Sequence, residues 1–320
     1  MDISLVIPLL NESESLPELH DWIRRVLEKE RLNYEIIFID DGSSDDSWAV
    51  INELARQNPA VRGISFTRNY GKSAALATGF QHVRGQVVVT MDADLQDSPD
   101  ELPELYRLIA EEKYHIVSGW KKRRYDNVLF KNIPSKLYNA VTRAISGIPL
   151  HDFNCGLKSY DRRVVQSLYL YGEMHRYIPL LAKWNGFSKI TEKVVVHQPR
   201  KYGVSKFGLE RFLNGFLDLM SVTLLTRFRK KPMHLFGTMG IIKFFIGFVF
   251  AVWLIIEKQW AIYHRQPYRE IVDQPLFFLS LIALVVGVQL FLAGFIAELI
   301  VHTKQENTYN VAQTVNINNQ

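Results

Sequence analysis

The run Val87-Val88-Val89-Thr90-Met91 passes without a break into Asp92-Ala93-Asp94-Leu95-Gln96-Asp97. A β-branched, apolar stretch of this length predicts a strand buried on both faces, and therefore a sheet with helices on each side. Two acids one residue apart then emerge together at its C-terminal end, where open α/β sheets place their ligands. Carboxylates at Asp92 and Asp94, with a carboxamide at Gln96 and a further acid at Asp97, offer the oxygen ligands that Mg²⁺ or Mn²⁺ prefers and leave positions for a diphosphate. The competing use of the same residues is an acidic turn that caps the helix beginning near Pro99.

The chain around this stretch repeats its pattern. Ile3 to Ile7 reads as a strand broken by Pro8, and Asn11-Glu12-Ser13-Glu14 opens a helix with Leu16, Leu19, Trp22, Ile23 and Val26 at helical spacing. Tyr34 to Ile39 is a second strand; it too ends in acids, Asp40-Asp41-Gly42-Ser43, before a helix through Trp48, Ile51 and Leu54. Val61 to Phe66 leads through Arg68-Asn69-Tyr70-Gly71-Lys72 into a helix over Ser73–Val83. Strands alternating with helical segments predict βαβ units and a mainly parallel sheet. Asp40 and Asp41 suit hydrogen bonds to a base or ribose, with a helix-capping turn as the alternative. There is no GxGxxG and no GxxxxGK[ST], so the common dinucleotide and P-loop readings fail.

After a helix over 99–112, His115 to Gly119 reads as a strand that runs into Trp120-Lys121-Lys122-Arg123-Arg124, with further cations at Lys131 and Lys136 around Ser135. Such a cluster is either a solvated face or the seat of a second phosphate-bearing substrate. Asp152-Phe153-Asn154-Cys155-Gly156-Leu157-Lys158 precedes a strand or helix at Ser159–Leu170, helical spacing runs through Ile178–Trp184, and Lys189–His197 alternates like a strand. Arg200-Lys201-Tyr202-Gly203-Val204-Ser205-Lys206 has the donors and the glycine of a loop that closes over a diphosphate, the alternative being an ordinary basic loop before a helix.

Hydrophobicity is unevenly spread along the 320 residues, of which 48% are hydrophobic and 22% charged. A segment over 208–232 clusters apolar residues and ends in Arg227-Phe228-Arg229-Lys230-Lys231, the pattern of a helix lying in a lipid interface, with a core helix as the competing reading. Gly237 to Ile256 and Pro275 to Leu299 are each long enough to cross a hydrocarbon layer of ~30 Å. The aromatic, polar stretch between them reads as a short loop with interface anchors, and the basic run places the catalytic domain and both termini in the cytoplasm of a multi-pass inner-membrane protein. Gly287 and Gly294 give helices room to pack closely, which makes a homo-oligomer, up to a tetramer, an expectation. The Asn- and Gln-rich stretch 302–320 predicts a disordered tail. The first residues form a strand and lack the basic leader of a signal peptide. A single cysteine, Cys155, excludes an internal disulfide and a Cys-based zinc site. The net charge of +5 suits a membrane surface, a polyphosphate or nucleic acid; the basic residues flank an acid-lined pocket and a membrane segment, so nucleic acid is the poorest fit.

Taken together, Ile7-Pro8 with Asn11-Glu12, Asp40-Asp41-Gly-Ser, Asn69-Tyr70-Gly71-Lys72, Asp92-Ala93-Asp94-Leu95-Gln96-Asp97 and Arg200 through Lys206 resemble the family 2 inverting glycosyltransferases. The chain is similar to their polyprenyl-phosphate branch, which includes dolichol-phosphate mannose synthases and bactoprenol glucosyltransferases. That resemblance implies a GT-A fold over 1–207, an interfacial segment over 208–232, a two-helix transmembrane hairpin over 233–301 and a cytoplasmic tail over 302–320. It implies Pro8, Glu12, Asp40, Asp41, Lys72, Asp92, Ala93 and Lys206 around the nucleotide, and Asp92, Asp94 and Gln96 on the Mg²⁺ or Mn²⁺. Lys121, Lys122, Arg123, Lys131 and Ser135 fall on the acceptor phosphate, and Asp94, Arg200 and Asp152 on the chemistry. Lysine at Lys121 and Lys131 stands where the family more often has arginine, which loses bidentate phosphate geometry.

The reaction so implied moves a hexose from a nucleotide sugar, with UDP-glucose the first choice and GDP-mannose or UDP-GlcNAc the alternatives, to a membrane polyprenyl phosphate in cell-envelope synthesis. A processive polysaccharide synthase is a poorer match, because the chain has no Gln-x-x-Arg-Trp motif. A non-catalytic membrane scaffold that binds nucleotide sugar is the alternative from outside enzymology, and the intact Asp92/Asp94 pair argues against it.

Overall fold

The computed structural model describes residues 1–122, 139–140, 142–143, 146–199, 201, 232–301 and 311–315. The chain divides into two units, Met1–Val222 with Thr308–Gln320, and Thr223–Asn307. The first is built on an eight-stranded sheet: β1 (Ile3–Leu9), β2 (Tyr34–Asp40), β3 (Val61–Phe66), β4 (Val87–Thr90), β5 (Ile116–Trp120), β6 (Lys158–Asp161), β7 (Ile190–Val194) and β8 (Val311–Val315), in the order β7-β5-β6-β4-β1-β2-β3-β8. β1, β2, β3 and β4 run parallel, and β5 and β7 are parallel to each other. β6 runs against both β4 and β5, and β8 runs against β3.

Alternation along the strands feeds two cores, one on each face. Leu5 and Ile7 of β1, Ile36 and Phe38 of β2 and Val87 and Val89 of β4 pack with α1 (Leu16–Lys29), α2 (Ser47–Gln57) and α4 (Leu102–Ala110). Their neighbours Val6, Ile37, Ile39 and Val88 point the other way, onto α3 (Lys72–Gln81), α5 (Arg162–Gln166) and α6 (Ile178–Trp184). A strand with both faces covered is why Val87-Val88-Val89 carries no polar residue. α1 buries Leu16, Leu19, Ile23 and Leu27, a stripe at helical spacing that seats it on the first of these cores.

Several elements differ from their sequence expectation. β1 continues through Pro8 to Leu9, with Pro8 opposite Ile39. β4 pairs with β1 only as far as Val6↔Thr90, so beyond Val6 the strand is paired on one side alone, where a missing N–H is tolerated. The single helix expected over 99–112 is a 3₁₀ turn, Pro99–Glu101, followed by α4. Ser159–Leu170 resolves into β6 and the short α5, which starts where the Asp161 side chain accepts from Arg163 N at 2.9 Å. The tail is corrected more substantially. Val311–Val315 is a strand whose register sets Ile64 against Thr314, because Val-Ala-Gln-Thr-Val carries β-branched residues and β3 otherwise presents an unpaired edge.

The second unit is a hairpin of two helices, α7 (Pro232–Tyr263) and α8 (Pro275–Val301). Both are long and apolar enough to cross a membrane, and their side chains face outward: Trp253 is 63% and Leu279 61% exposed. Glycines hold the pair together. A Cβ at Gly240 would lie 2.6 Å from the Gly287 carbonyl, one at Gly247 2.6 Å from that of Ser280, and one at Gly294 3.0 Å from Phe236 Cβ. Gly287 and Gly294, expected to serve packing between helices, thus do so inside the hairpin. Residues 208–231, expected to form the interfacial helix, lie outside the described residues.

Candidate active site at the C-terminal rim of the sheet

Register brings the chemistry to one edge. Leu9 of β1 stands beside Asp40 of β2, Asp40 beside Ser65 of β3, and Thr90 of β4 beside Lys158 at the start of the antiparallel β6. The acids after β2 and β4, the first turn of α3 and the polar segment before β6 therefore share a rim. Leu95 turns the Asp92–Asp97 segment with φ +59°, a left-handed conformation costing an L-residue about 1–2 kcal/mol. Gln96 N donates to Asp94 Oδ1 at 3.2 Å. Asp97 bridges to His197, and Gln198 N donates to the Gln96 carbonyl at 2.9 Å, which sets the start of the basic segment at 197–201 against the acidic turn.

Carboxylates and ammonium groups alternate across this rim. Lys72 Nζ is ion-paired with Asp92 Oδ1. Lys121 Nζ lies 2.7 Å from Oδ1 of Asp97, a wholly buried carboxylate. Burial works against both partners of these pairs. At Asp92 the Lys72 and Lys121 charges outweigh it and hold the carboxyl down at about 2. At Lys121 the Asp97 and Asp92 charges outweigh it and raise the ammonium above its ordinary value. Lys158 Nζ donates to the Phe153 carbonyl at 3.1 Å and to that of Cys155, which folds the 153–155 turn over its own strand; burial pushes its pKa down. Thr90 Oγ1 donates to the Gly156 carbonyl at 2.8 Å, and a Cβ at Gly156 would stand 2.4 Å from Asp92 Oδ2. Only glycine lets the main chain come this close to the acid.

Residues 4–169 match the family model described as Glycosyl transferase family 2. The chain belongs to this family. It is 32% identical over 95% of its length to a dodecaprenyl-phosphate galacturonate synthase of Rhizobium johnstonii, 88% of which is covered. To an undecaprenyl-phosphate 4-deoxy-4-formamido-L-arabinose transferase of Shewanella sediminis it is 36% identical, over 80% of this chain and 75% of the relative. Among solved structures, the glucosyl-3-phosphoglycerate synthase of Mycobacterium tuberculosis, crystallised with Mn²⁺, UDP-glucose and glycerol 3-phosphate, shares the fold with a TM-score of 0.52 at 23% identity, over 71% of this chain and 79% of that one. The fold is thus GT-A-like, and the chain is a membrane-associated glycosyltransferase whose relatives act on polyprenyl phosphates.

In this family 2 transferase the residues singled out from sequence fall into three groups. Pro8, Lys72, Asp92, Ala93, Asp94 and Gln96 stand at the rim as strand ends, turn or first helical residue; Pro8, Ala93 and Asp94 are buried, whereas Asp92 and Gln96 are half-buried. A second group carries the frame of the rim. Asp40 accepts from Ser43 N at 2.9 Å and from Ser65 Oγ at 3.0 Å, and Asp41 accepts from Tyr70 N at 2.7 Å and Gly71 N at 2.9 Å. Burial raises the Asp41 pKa in spite of those amides. Glu12 N donates to Ser47 Oγ at 3.0 Å, and buried Asp152 accepts from Asn154 N at 3.0 Å. Lys121 belongs here through Asp97, while Lys122 is exposed beside the Trp120 ring. Arg123, Lys131, Ser135, Arg200 and Lys206 lie outside the described residues.

The donor set fits a hard divalent cation of the Mg²⁺ or Mn²⁺ kind. Asp92 and Asp94 would offer carboxylate oxygens and Gln96 a carbonyl oxygen from one tight turn, and the Asp92 carboxyl is held down at about 2. Among the described residues no three His, Cys, Asp or Glu side chains converge as a cage. Two functional candidates escape the sequence reading. His175 shares hydrogen bonds with Ser73 of α3, N to Oγ at 3.0 Å and Nδ1 to Oγ at 3.1 Å, and lies within electrostatic reach of Asp92. Burial, then Lys72, Arg176 and Lys158, lower its pKa well below 6.5 and keep it neutral. Lys158 is the other. Each belongs to a segment that reads as ordinary structure, and the only local signal is a His-Arg pair ahead of the Ile178–Trp184 helix.

Proposed function

We propose that the protein transfers a sugar from a nucleotide sugar to the phosphate of a membrane polyprenol, with inversion at the anomeric carbon. The observation that carries this reading is the relative named for a dodecaprenyl-phosphate product, matched over 95% of this chain, on a rim where an ionised Asp92 stands beside Asp94. A phosphate monoester is already anionic near neutral pH and needs no strong general base, so catalysis is alignment plus stabilisation of the departing diphosphate. A cation bound at Asp92, Asp94 and Gln96 supplies charge neutralisation to that leaving group. Lys72, with Arg200 and Lys206, binds the diphosphate, and Pro8, Glu12, Asp40, Asp41 and Ala93 shape the nucleoside pocket. Lys121, Lys122, Arg123, Lys131 and Ser135 form the acceptor-phosphate side; Lys121 acts there through the charge it shares with Asp97. Asp152 fixes the loop that faces Asp92.

Support for glucose as the sugar is lacking: the relatives are named for galacturonate and for 4-deoxy-4-formamido-L-arabinose. UDP-linked forms of all three sugars therefore compete as donors. The positive-inside rule applied to Arg227-Phe228-Arg229-Lys230-Lys231 supports a cytoplasmic transferase domain, with α7 and α8 as its membrane anchor. The test is product mass. Purified full-length protein is incubated with undecaprenyl phosphate, Mg²⁺ or Mn²⁺, and UDP-glucose, UDP-galacturonate or UDP-4-deoxy-4-formamido-L-arabinose. One donor should give a polyprenyl-phosphate sugar, and release of UDP without any lipid-linked product contradicts the reading.

A further inference from the structure

The Asp92 carboxylate is engaged from two directions. Lys72 pairs with Oδ1, and the Gly156 main chain closes on Oδ2 so tightly that a methyl group there would overlap it. A divalent cation needs a carboxylate oxygen of its own, and an ammonium left beside it would repel it. The Gly156 main chain backs all three carboxyl atoms of Asp92, and Lys72 occupies Oδ1, one of the two oxygens a cation could take.

Lys72 is built to leave. Its main chain is fixed, since it is the first residue of α3 and the preceding Gly71, at φ +92°, donates its N–H to Asp41. Its side chain is not, being 32% exposed on a flexible four-carbon stem. Among the described residues nothing lies within 4 Å of the place a Gly71 Cβ would occupy.

We propose that Lys72 is the resident counter-ion of Asp92, exchanged for the divalent cation as the donor binds. The released ammonium then meets the diphosphate that arrives with the cation. Cation and nucleotide binding are coupled as a consequence: each clears or creates a partner for the other. This rests on the proposed cation site, and the experiment separates the two.

The probe is Mn²⁺, titrated into detergent-solubilised full-length protein with free Mn²⁺ read by electron paramagnetic resonance, with and without UDP. Lys72→Met should bind Mn²⁺ alone about tenfold more tightly than wild type, within the usual range of couplings. The gain in Mn²⁺ affinity that UDP gives the wild type should shrink in the variant. Lys72→Arg, which keeps the charge, should retain the weak intrinsic affinity and shows that the site survives substitution. Equal or weaker Mn²⁺ binding by Lys72→Met, or an undiminished effect of UDP, overturns the exchange. Asp94→Asn tests the site itself: Mn²⁺ binding as in wild type would remove the cation site from this rim, whatever Lys72 does.

Discussion

Glycine at position 156 sets the position of the most important acid on the rim. The nearest atoms to a Cβ there are all three carboxyl atoms of Asp92, at 2.4 to 2.9 Å. Gly156→Ala should therefore swing the carboxylate away from its partners, and turnover should fall about a hundredfold, the scale of a 1 Å misplacement, while the melting temperature moves little. His175 gives a prediction in pH. Its folded pKa lies well below 6.5, so below that value the unfolded chain takes up a proton that the native protein refuses. Its contribution to stability is complete above pH ~6.5 and declines as the pH falls. His175→Gln should flatten the loss of stability between about pH 7 and pH 5, measured as denaturation midpoints. Cys155 lies at the other extreme: burial pushes its thiol up to about 12, so thiol reagents should leave the folded protein unmodified.

At the scale of elements, sequence pattern was sufficient wherever burial on both faces imposes it. β1 to β4 and the helices between them follow from β-branched runs alternating with amphipathic ones. It was insufficient where long-range pairing decides. Lys158–Asp161 holds three polar residues in four, and its strand character comes from pairing with Val88 and Val89, which lie far earlier in the chain and stand opposite Tyr160 and Ser159. β8 is another such case, a short segment among Asn and Gln given its role by the open edge of β3. Deleting 311–315 should expose that edge, lower the melting temperature by several degrees and increase aggregation, which light scattering reads. In the hairpin, Gly287→Leu must push α8 off α7, because a Cβ there already meets Phe244 N at 2.7 Å and the Gly240 carbonyl at 2.8 Å. Overpacking of this kind costs about 1–3 kcal/mol, seen as loss of thermal stability in detergent.

Across the whole molecule, the acids of the rim were legible because they follow strands, and their partners were not. Lys121 reads in sequence as part of a solvated face or an acceptor-phosphate cluster, yet it pairs with the buried Asp97, and that pairing depends on β5 lying next to β6 and β6 next to β4. The two apolar helices were legible from length alone, and their outward-facing Trp, Phe, Ile and Leu side chains match a lipid surrounding. One chain thus carries a charged rim at the C-terminal edge of its sheet and an apolar hairpin long enough to cross a membrane. The measurement that tests this most directly is transfer of labelled sugar to undecaprenyl phosphate by wild type and by Asp94→Asn, in the same detergent and with Mn²⁺ titrated. Wild type should transfer in a cation-dependent manner, and Asp94→Asn, with an unchanged melting temperature, should lose activity by about a hundredfold or more. Full transfer by a folded Asp94→Asn protein would contradict the account.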